Sequence, residues 1–558
     1  MKKIISLVLT LVMLFTVIAP SSSVFAANER TPIIYIRGNG EKLYYPDGTK
    51  LNATLEDLFA DDNNESELTK DVIVETAVNI LIPFITEGML FDKWDNYGKA
   101  IYDELSPLFP DSGLDENGNP QKGTGVSPEA LANSEANSKS IWAYNAGQDY
   151  NFCYDWRLSP YDHVDRLHEY VQNVLHATGQ KQVSIYARCF GGSLLNAYLE
   201  KYGHLKQVKN VMYSDVLSNE TTVISKAFSG QVEFDAALIE RYAGQLDYCG
   251  RYNMGIGFAF GDLLYEIVIK SMSFFNQVGA TDGVLDGVEN LYEKLYKALV
   301  PALCHATGIA TQVNHWTCVA EEDMEDALNL IFGEEGSELR IKYAGLINKI
   351  QYYRSHVSKD LIGFYDNAKA NGIHIGFFGK YGFMNAPFTV GADLLSDSLV
   401  SLKHATLGAT CATIGHTLSE DYISQRVKEG KGKYISPDKQ VDLSTAYSPE
   451  TTWICKNAHH NIFSETKHIL KAFLNGTNVT VNTPGMADQF LAYDTETNTL
   501  STMTEDNSAE FDWIQSAIDE PTKETISISI IRWFTMLFKV IGMLLRGEIS
   551  FGEAKEMF

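Results

Sequence analysis

Short apolar runs alternate with helix-period stretches along most of the chain. Ile33–Ile36, Val183–Tyr186, Val208–Asp215, Ile373–Phe378 and Thr451–Cys455 are runs of β-branched, aromatic and other apolar side chains bounded by turn residues, and each predicts a buried strand. Between them, Asp162–Gly179 puts Val164, Leu167, Val171, Val174 and Leu175 on one side of a helix. Ser193–Tyr202 does the same with Leu194, Leu195, Tyr198 and Leu199. The spacing from the first of these helices to the strand at Val183 fits a right-handed crossover, and the alternation predicts an α/β fold with a mostly parallel sheet flanked by helices.

The pattern changes between Val223 and Lys369. Ala236–Leu246, Phe260–Val278, Val284–Leu299 and Met324–Ile331 carry a helical period and strand signals are sparse, which predicts a large helical insertion over residues 223–369. It divides a core of residues 27–222 and 370–480. A polar segment, 481–523, follows. In the final stretch, 524–558, residues 526–546 are strongly apolar except for Arg532, Thr535, Lys539, Gly542 and Arg546, which form one narrow stripe on a helix. Basic residues near a membrane centre cost about 2.5–3.5 kcal/mol each, so this helix is expected to lie on a membrane surface or pack on protein, a second copy included, and not to span. At the other end, Lys2 and Lys3 precede an apolar run and Val24-Phe25-Ala26 closes it, the form of a cleaved secretory leader over residues 1–26. A secreted, extracellular protein is expected.

Composition narrows the function classes. A hydrophobic fraction of 45% supports a built core, and a formal net charge of −26 repels nucleic acid, which sets that partner aside. The seven cysteines have no CxxC spacing, so neither a metal nor another cofactor is expected. Their odd number leaves at least one thiol unpaired, while disulfides among the rest are permitted. Asp111–Asn119 alternates oxygen donors, but lacks a calcium loop's terminal glutamate and reads as a hairpin turn.

The candidate chemistry centres on Val183–Gly192, VSIYARCFGG. A strand, a sharp turn and a helix with Cys189 between the small residues Ala187 and Gly191 is the nucleophile-elbow layout of α/β-hydrolases. The turn strains the nucleophile's backbone and leaves little room two positions to either side. Two departures are plain: Ala187 stands at the first small position, and Cys189 at the position usually held by serine. In such a site the backbone N–H of Phe190 and one from Asn39 or Gly40, in the loop after the first strand, hold the oxyanion. The acid belongs in a loop after a late strand, where Asp397 is placed, with Asp393 and Asp215 as weaker candidates. The base belongs between the last strand and last helix, where His459 and His460 both stand. Arg188 and Arg37 adjoin the site, and cations pointing inward would favour a thiolate.

The run Tyr154-Asp155-Trp156-Arg157-Leu158, the helix after it and the elbow some thirty residues on resemble the lecithin:cholesterol acyltransferase family of α/β-hydrolases, which includes lysosomal phospholipase A2. The resemblance covers roughly residues 31–60, 141–225 and 370–475. Where that family has Gly-His-Ser-x-Gly this chain has Ala187-Arg188-Cys189-Phe190-Gly191, and where the family has Pro-Gly it has Arg37-Gly38. The family's Asp-Gly-x-Val matches Asp397-Ser398-Leu399-Val400 except at glycine. Its His-x-Asn/Asp-aliphatic pattern matches His459-His460-Asn461-Ile462, which makes His459 the implied base. The implied protein is a lipase-like acyl hydrolase or acyltransferase with a Cys189–His459–Asp397 triad, a helical lid and a lipid-like ester or thioester substrate. Two readings stay open beside it: a catalytically weak or inactive relative that binds a hydrophobic ligand, and a cysteine peptidase or amidase on the same scaffold.

Overall fold

A computed structural model describes residues 30–38, 41–54, 57, 76, 79–80, 82–132, 149–231, 238, 241–242, 244–245, 248–249, 285–386, 389–461 and 466–515. The leader, the helix expected over 526–546, Asn39, Gly40 and the stretch 260–278 lie outside these residues, and most of 236–246 does too.

Within them the centre is an eight-stranded sheet. Its strands are β1 (Ile33–Ile36), β2 (Tyr150–Phe152), β3 (Val183–Cys189), β4 (Val208–Val216), β5 (His374–Tyr381), β6 (Thr452–Lys456), β7 (Phe490–Asp494) and β8 (Thr499–Thr502). They lie in the order β2-β1-β3-β4-β5-β6-β7-β8. All neighbours are parallel except β8, which pairs antiparallel with β7. This is the α/β architecture expected from the alternation. The strands are continuous apolar runs because both faces are covered. Ile34 and Ile36 pack on one side with Leu167, Val171, Leu194 and Tyr198. Ile33 and Tyr35 pack on the other with Trp453, Phe473 and Leu474.

The expected helices form as α2 (Val164–Thr178) and α3 (Gly191–Tyr202), following α1 (Trp94–Leu105). Between β4 and β5 the regular elements of the described residues are helical. They include α4 (Thr222–Ser229), α5 (Leu285–Ala306), α6 (Met324–Phe332), α7 (Ala344–His356) and α8 (Leu361–Ala370). Part of this region has its own apolar cluster, in which Phe228, Tyr296, Val300, Trp316, Leu328, Phe332 and Leu346 meet. A final helix, α9 (Lys467–Asn475), follows β6.

Three expectations need adjustment. The polar segment 481–523 is not separate from the core at residue 480, since β7 pairs with β6 through Ile454–Phe490 and Cys455–Leu491, and β8 closes that edge. Its polarity reflects β8, an edge strand that is largely exposed. The strands β3 and β5 run on to Cys189 and Tyr381, and so carry Arg188 and Lys380 into the sheet. No disulfide forms, because all seven cysteines are described and all are free. The stretch 111–119 closes as a turn, with Asp115 N–H donating to the Asn119 carbonyl at 2.8 Å and Asp115 Oδ1 accepting from two backbone N–H groups, those of Asn117 and Asn119.

Candidate active site

β3 ends at Cys189, whose φ of +54° lies in the left-handed region. Phe190 follows at φ −59° and ψ −15°, and α3 begins at Gly191. The chain thus turns from strand to helix across one residue. A left-handed cysteine costs about 1–2 kcal/mol, a strain that persists only where the surroundings over-determine it. Here they do. A Cβ on Gly191 would lie 2.2 Å from the Ile36 carbonyl oxygen, and one on Gly38 would lie 2.5 Å from Cys189 Cβ and 2.6 Å from its Sγ. Only glycine lets the loop after β1 lie against the thiol. Cys189 also packs in a small apolar cluster with Phe190, Leu217, Cys318, Val400 and Ala405.

The loop after β6 supplies a histidine, and it is His460, not His459. His460 Nδ1 lies 2.7 Å from Asp397 Oδ2, and the Cys189 thiol is near enough to its ring to influence its protonation. Three bonds from backbone N–H groups lock the pair: His460 N–H donates to the Asp397 carbonyl at 2.9 Å, and the Leu399 and Val400 N–H groups donate to Asp397 Oδ1 at 3.0 and 2.7 Å. Burial pulls the His460 imidazole down, but the Asp397 charge, the hydrogen bond to Asp397 and the nearby Cys189 thiol outweigh it and lift the pKa to about 9. Burial raises Asp397 in turn, and the His460 charge and its hydrogen bond bring the carboxyl below its ordinary value.

His459 faces elsewhere. Its Nε2 lies 2.8 Å from the Ser398 hydroxyl, and its Nδ1 accepts the Asn461 N–H at 3.2 Å. Burial pushes it down to about 4, so it is neutral near neutral pH. The physical reason for the exchange is the turn. Consecutive residues in a tight loop point apart, so the choice between them depends on backbone geometry that no spacing rule reads. The other candidate acids are also accounted for. Asp215 pairs with Lys380 at 2.7 Å, and Asp393 lies in a turn whose carbonyl accepts the Ile414 N–H at 2.8 Å. The Arg188 guanidinium donates to the His460 carbonyl.

The Phe190 N–H opens α3, at the positive end of the helix, as an oxyanion donor requires. Asn39 and Gly40 lie outside the described residues. What holds their loop is visible on either side. Tyr154 donates to the Arg37 carbonyl at 2.8 Å and Trp156 Nε1 to the Glu41 carbonyl at 3.3 Å. Arg157, fully buried, pairs with Asp155 at 2.7 Å and donates to the carbonyls of Asp111, Ser112 and Thr124. The YDWRL run therefore clamps Arg37 and Glu41 after β1 together with the turn residues Asp111, Ser112 and Thr124. A second clamp was not legible in sequence: Asn314 accepts from Ser193 at the start of α3 at 2.5 Å and donates to the Trp156 carbonyl at 3.0 Å. His315 beside it stacks edge-on to Phe190 at 4.6 Å between ring centres.

Among the described residues no cluster of three or more His, Cys, Asp or Glu could hold a metal ion, and no helix is long and apolar enough to cross a membrane. No family model matches the chain, and no curated protein matches it. A solved structure described as the crystal structure of the Tle4-Tli4 complex is similar at 13% identity over 63% of this chain and 75% of that one. Its TM-score of 0.24 is too slight to assign a fold.

Proposed function

We propose that this protein is a cysteine-nucleophile acyl hydrolase or acyltransferase of α/β-hydrolase architecture, with Cys189 as nucleophile, His460 as base and Asp397 as its orienting acid. One observation carries the reading: a left-handed cysteine at a strand-to-helix turn shares one histidine with a buried carboxylate. The chain order nucleophile, acid, histidine and the parallel strand order support the same fold. The helical region 223–369 would act as its lid, residues 1–26 as an export leader, and the lecithin:cholesterol acyltransferase-like type is the family reading that the YDWRL run favours.

In this scheme His460 holds the proton that Cys189 has given up, and the Cys189 sulfur attacks an ester or thioester carbonyl as a thiolate. Asp397 holds Nδ1, which leaves Nε2 for the thiol. The developing oxyanion is met by the Phe190 N–H and a donor from the loop that Tyr154 fixes. His460 then returns its proton to the departing alcohol, leaving a thioester on Cys189. Water or an acceptor alcohol attacks that thioester and gives its proton to His460; the C–S bond breaks, the acid or new ester leaves, and His460 returns the proton to the Cys189 sulfur. The apolar neighbours of the thiol, Leu217, Val400 and Ala405, favour a lipid-like acyl group.

The test is intact-mass spectrometry after exposure to a panel of p-nitrophenyl acyl esters. One acyl adduct mapping to Cys189, absent in His460→Ala, is expected. Ester turnover that survives Cys189→Ala would overturn the assignment, and a thiol that stays unmodified while ligands raise the melting temperature would leave a hydrophobic-ligand binder instead.

A further inference from the structure

We infer that Lys380, held by Asp215, is a positioning residue for the catalytic histidine: the two form a buried ion pair whose ammonium, with Arg188, grips the backbone carbonyl of His460. This rests on the proposed role of His460.

Lys380 is on β5 and Asp215 on β4, both almost wholly shielded from solvent, and Lys380 Nζ lies 2.7 Å from Asp215 Oδ2. The same ammonium reaches the His460 carbonyl at 3.3 Å, where the Arg188 guanidinium from β3 also donates. Three adjacent strands thus deliver charge to one loop carbonyl. Ordinary sheet geometry does not deliver Asp215 to that place. Arg188 pairs with Ser214 and Cys189 with Val216, so Asp215 is the extra residue of a β-bulge, and its φ is +47°. A bulge of this kind re-aims a side chain.

Stability does not account for the arrangement. A buried ion pair gains little over a well-packed apolar pair, and this one carries a backbone strain besides. Asp215 Oδ1 has no hydrogen-bond partner among the described residues. What the pair does accomplish is to fix the turn that carries His460. The His460 N–H is already tied to Asp397, and so is its ring. The carbonyl is the remaining handle on that residue's backbone, and two cations take it. Lys380 also contributes to holding the Asp397 carboxyl low. The charged groups around His460 are then Asp397, Lys380, Arg188 and Asp215, with neutral His459 beside them.

The experiment uses the full chain and two readouts: kcat and KM on a p-nitrophenyl ester, and the pH profile of Cys189 alkylation by iodoacetamide, which needs no turnover. In Lys380→Met, kcat is expected to fall about 10–100-fold with KM changed less than about 3-fold, since small misplacement of a base is that expensive. The alkylation profile is expected to move to higher pH by about half a unit or more, because a cation is removed and a carboxylate left. Lys380→Arg should recover most of both. If Lys380→Met does not fold, the charge-neutral pair Lys380→Met with Asp215→Asn takes its place, with the same loss of kcat expected. A folded variant with wild-type kcat and an unmoved alkylation profile overturns the inference. If no ester is turned over by any form but the profile still moves, the positioning role stands and the acyl-transfer reading fails.

Discussion

His460 Nδ1 and Asp397 Oδ2 are 2.7 Å apart, and both side chains are largely shielded from solvent. That one contact separates two adjacent histidines into different chemical roles. His460→Ala is expected to abolish adduct formation at Cys189. His459→Ala, which removes the 2.8 Å contact to Ser398 and the 3.2 Å bond from the Asn461 N–H, should slow it less than about 10-fold. Mass spectrometry on the two variants after equal ester exposure measures the difference, and equal loss in both would refute the assignment of roles.

The same contact sets a pH dependence of stability. His460 is raised to about 9, above its ordinary value, so its pairing contributes fully below about pH 6.5 and is lost as pH rises through about 9. The loss is of order 3 kcal/mol. Asp397 runs the other way: its carboxyl is lowered, so its contribution is present above the ordinary carboxylate range and fades on acidification. Urea titrations across pH 6–10 should show wild-type stability falling on the alkaline side, and a flatter curve for His460→Gln.

Gly38→Ala tests the close approach at the elbow. The added methyl would lie 2.6 Å from Cys189 Sγ, so the loop or the turn must shift. A destabilisation of about 1–3 kcal/mol is expected, together with a larger loss of iodoacetamide reactivity at Cys189. Unchanged reactivity would show that the loop yields without disturbing the thiol.

Tyr154→Phe removes the hydroxyl that donates to the Arg37 carbonyl at 2.8 Å and little else. Stability should fall by only about 1 kcal/mol. Ester turnover should fall further than that suggests, through kcat, because the loop it restrains carries the second oxyanion donor. A kcat equal to wild type would sever Tyr154 from the site.

Arg157→Ala removes the centre of a different network, and the expected effect is on folding. It strands the buried Asp155 carboxylate and three loop carbonyls, so about 3–5 kcal/mol of stability should go. Arg157→Lys should recover little, because an ammonium cannot reproduce the planar fork. Chemical denaturation of both variants checks this.

The linear chain by itself determined five of the eight strands, the helices flanking them and the elbow. Apolar period and turn chemistry are local properties, and buried strands such as Ile33–Ile36 leave a continuous apolar trace. It also determined Cys189 and Asp397, whose places follow from the order of elements along the chain. The fold decided what depends on direction and on contact between distant segments. The outward turn of His459 and inward turn of His460 are set by one backbone loop. Arg188, next to the nucleophile in sequence, reaches the His460 carbonyl, a contact that only the packed loop supplies. In sequence Lys380 is a charge just past an apolar run and Asp215 a weaker candidate for the acid, until a bulge of one residue brings them together beside His460. Charges in a strand carry no period that betrays a partner 165 positions away, and only the packed sheet makes that distance 2.7 Å.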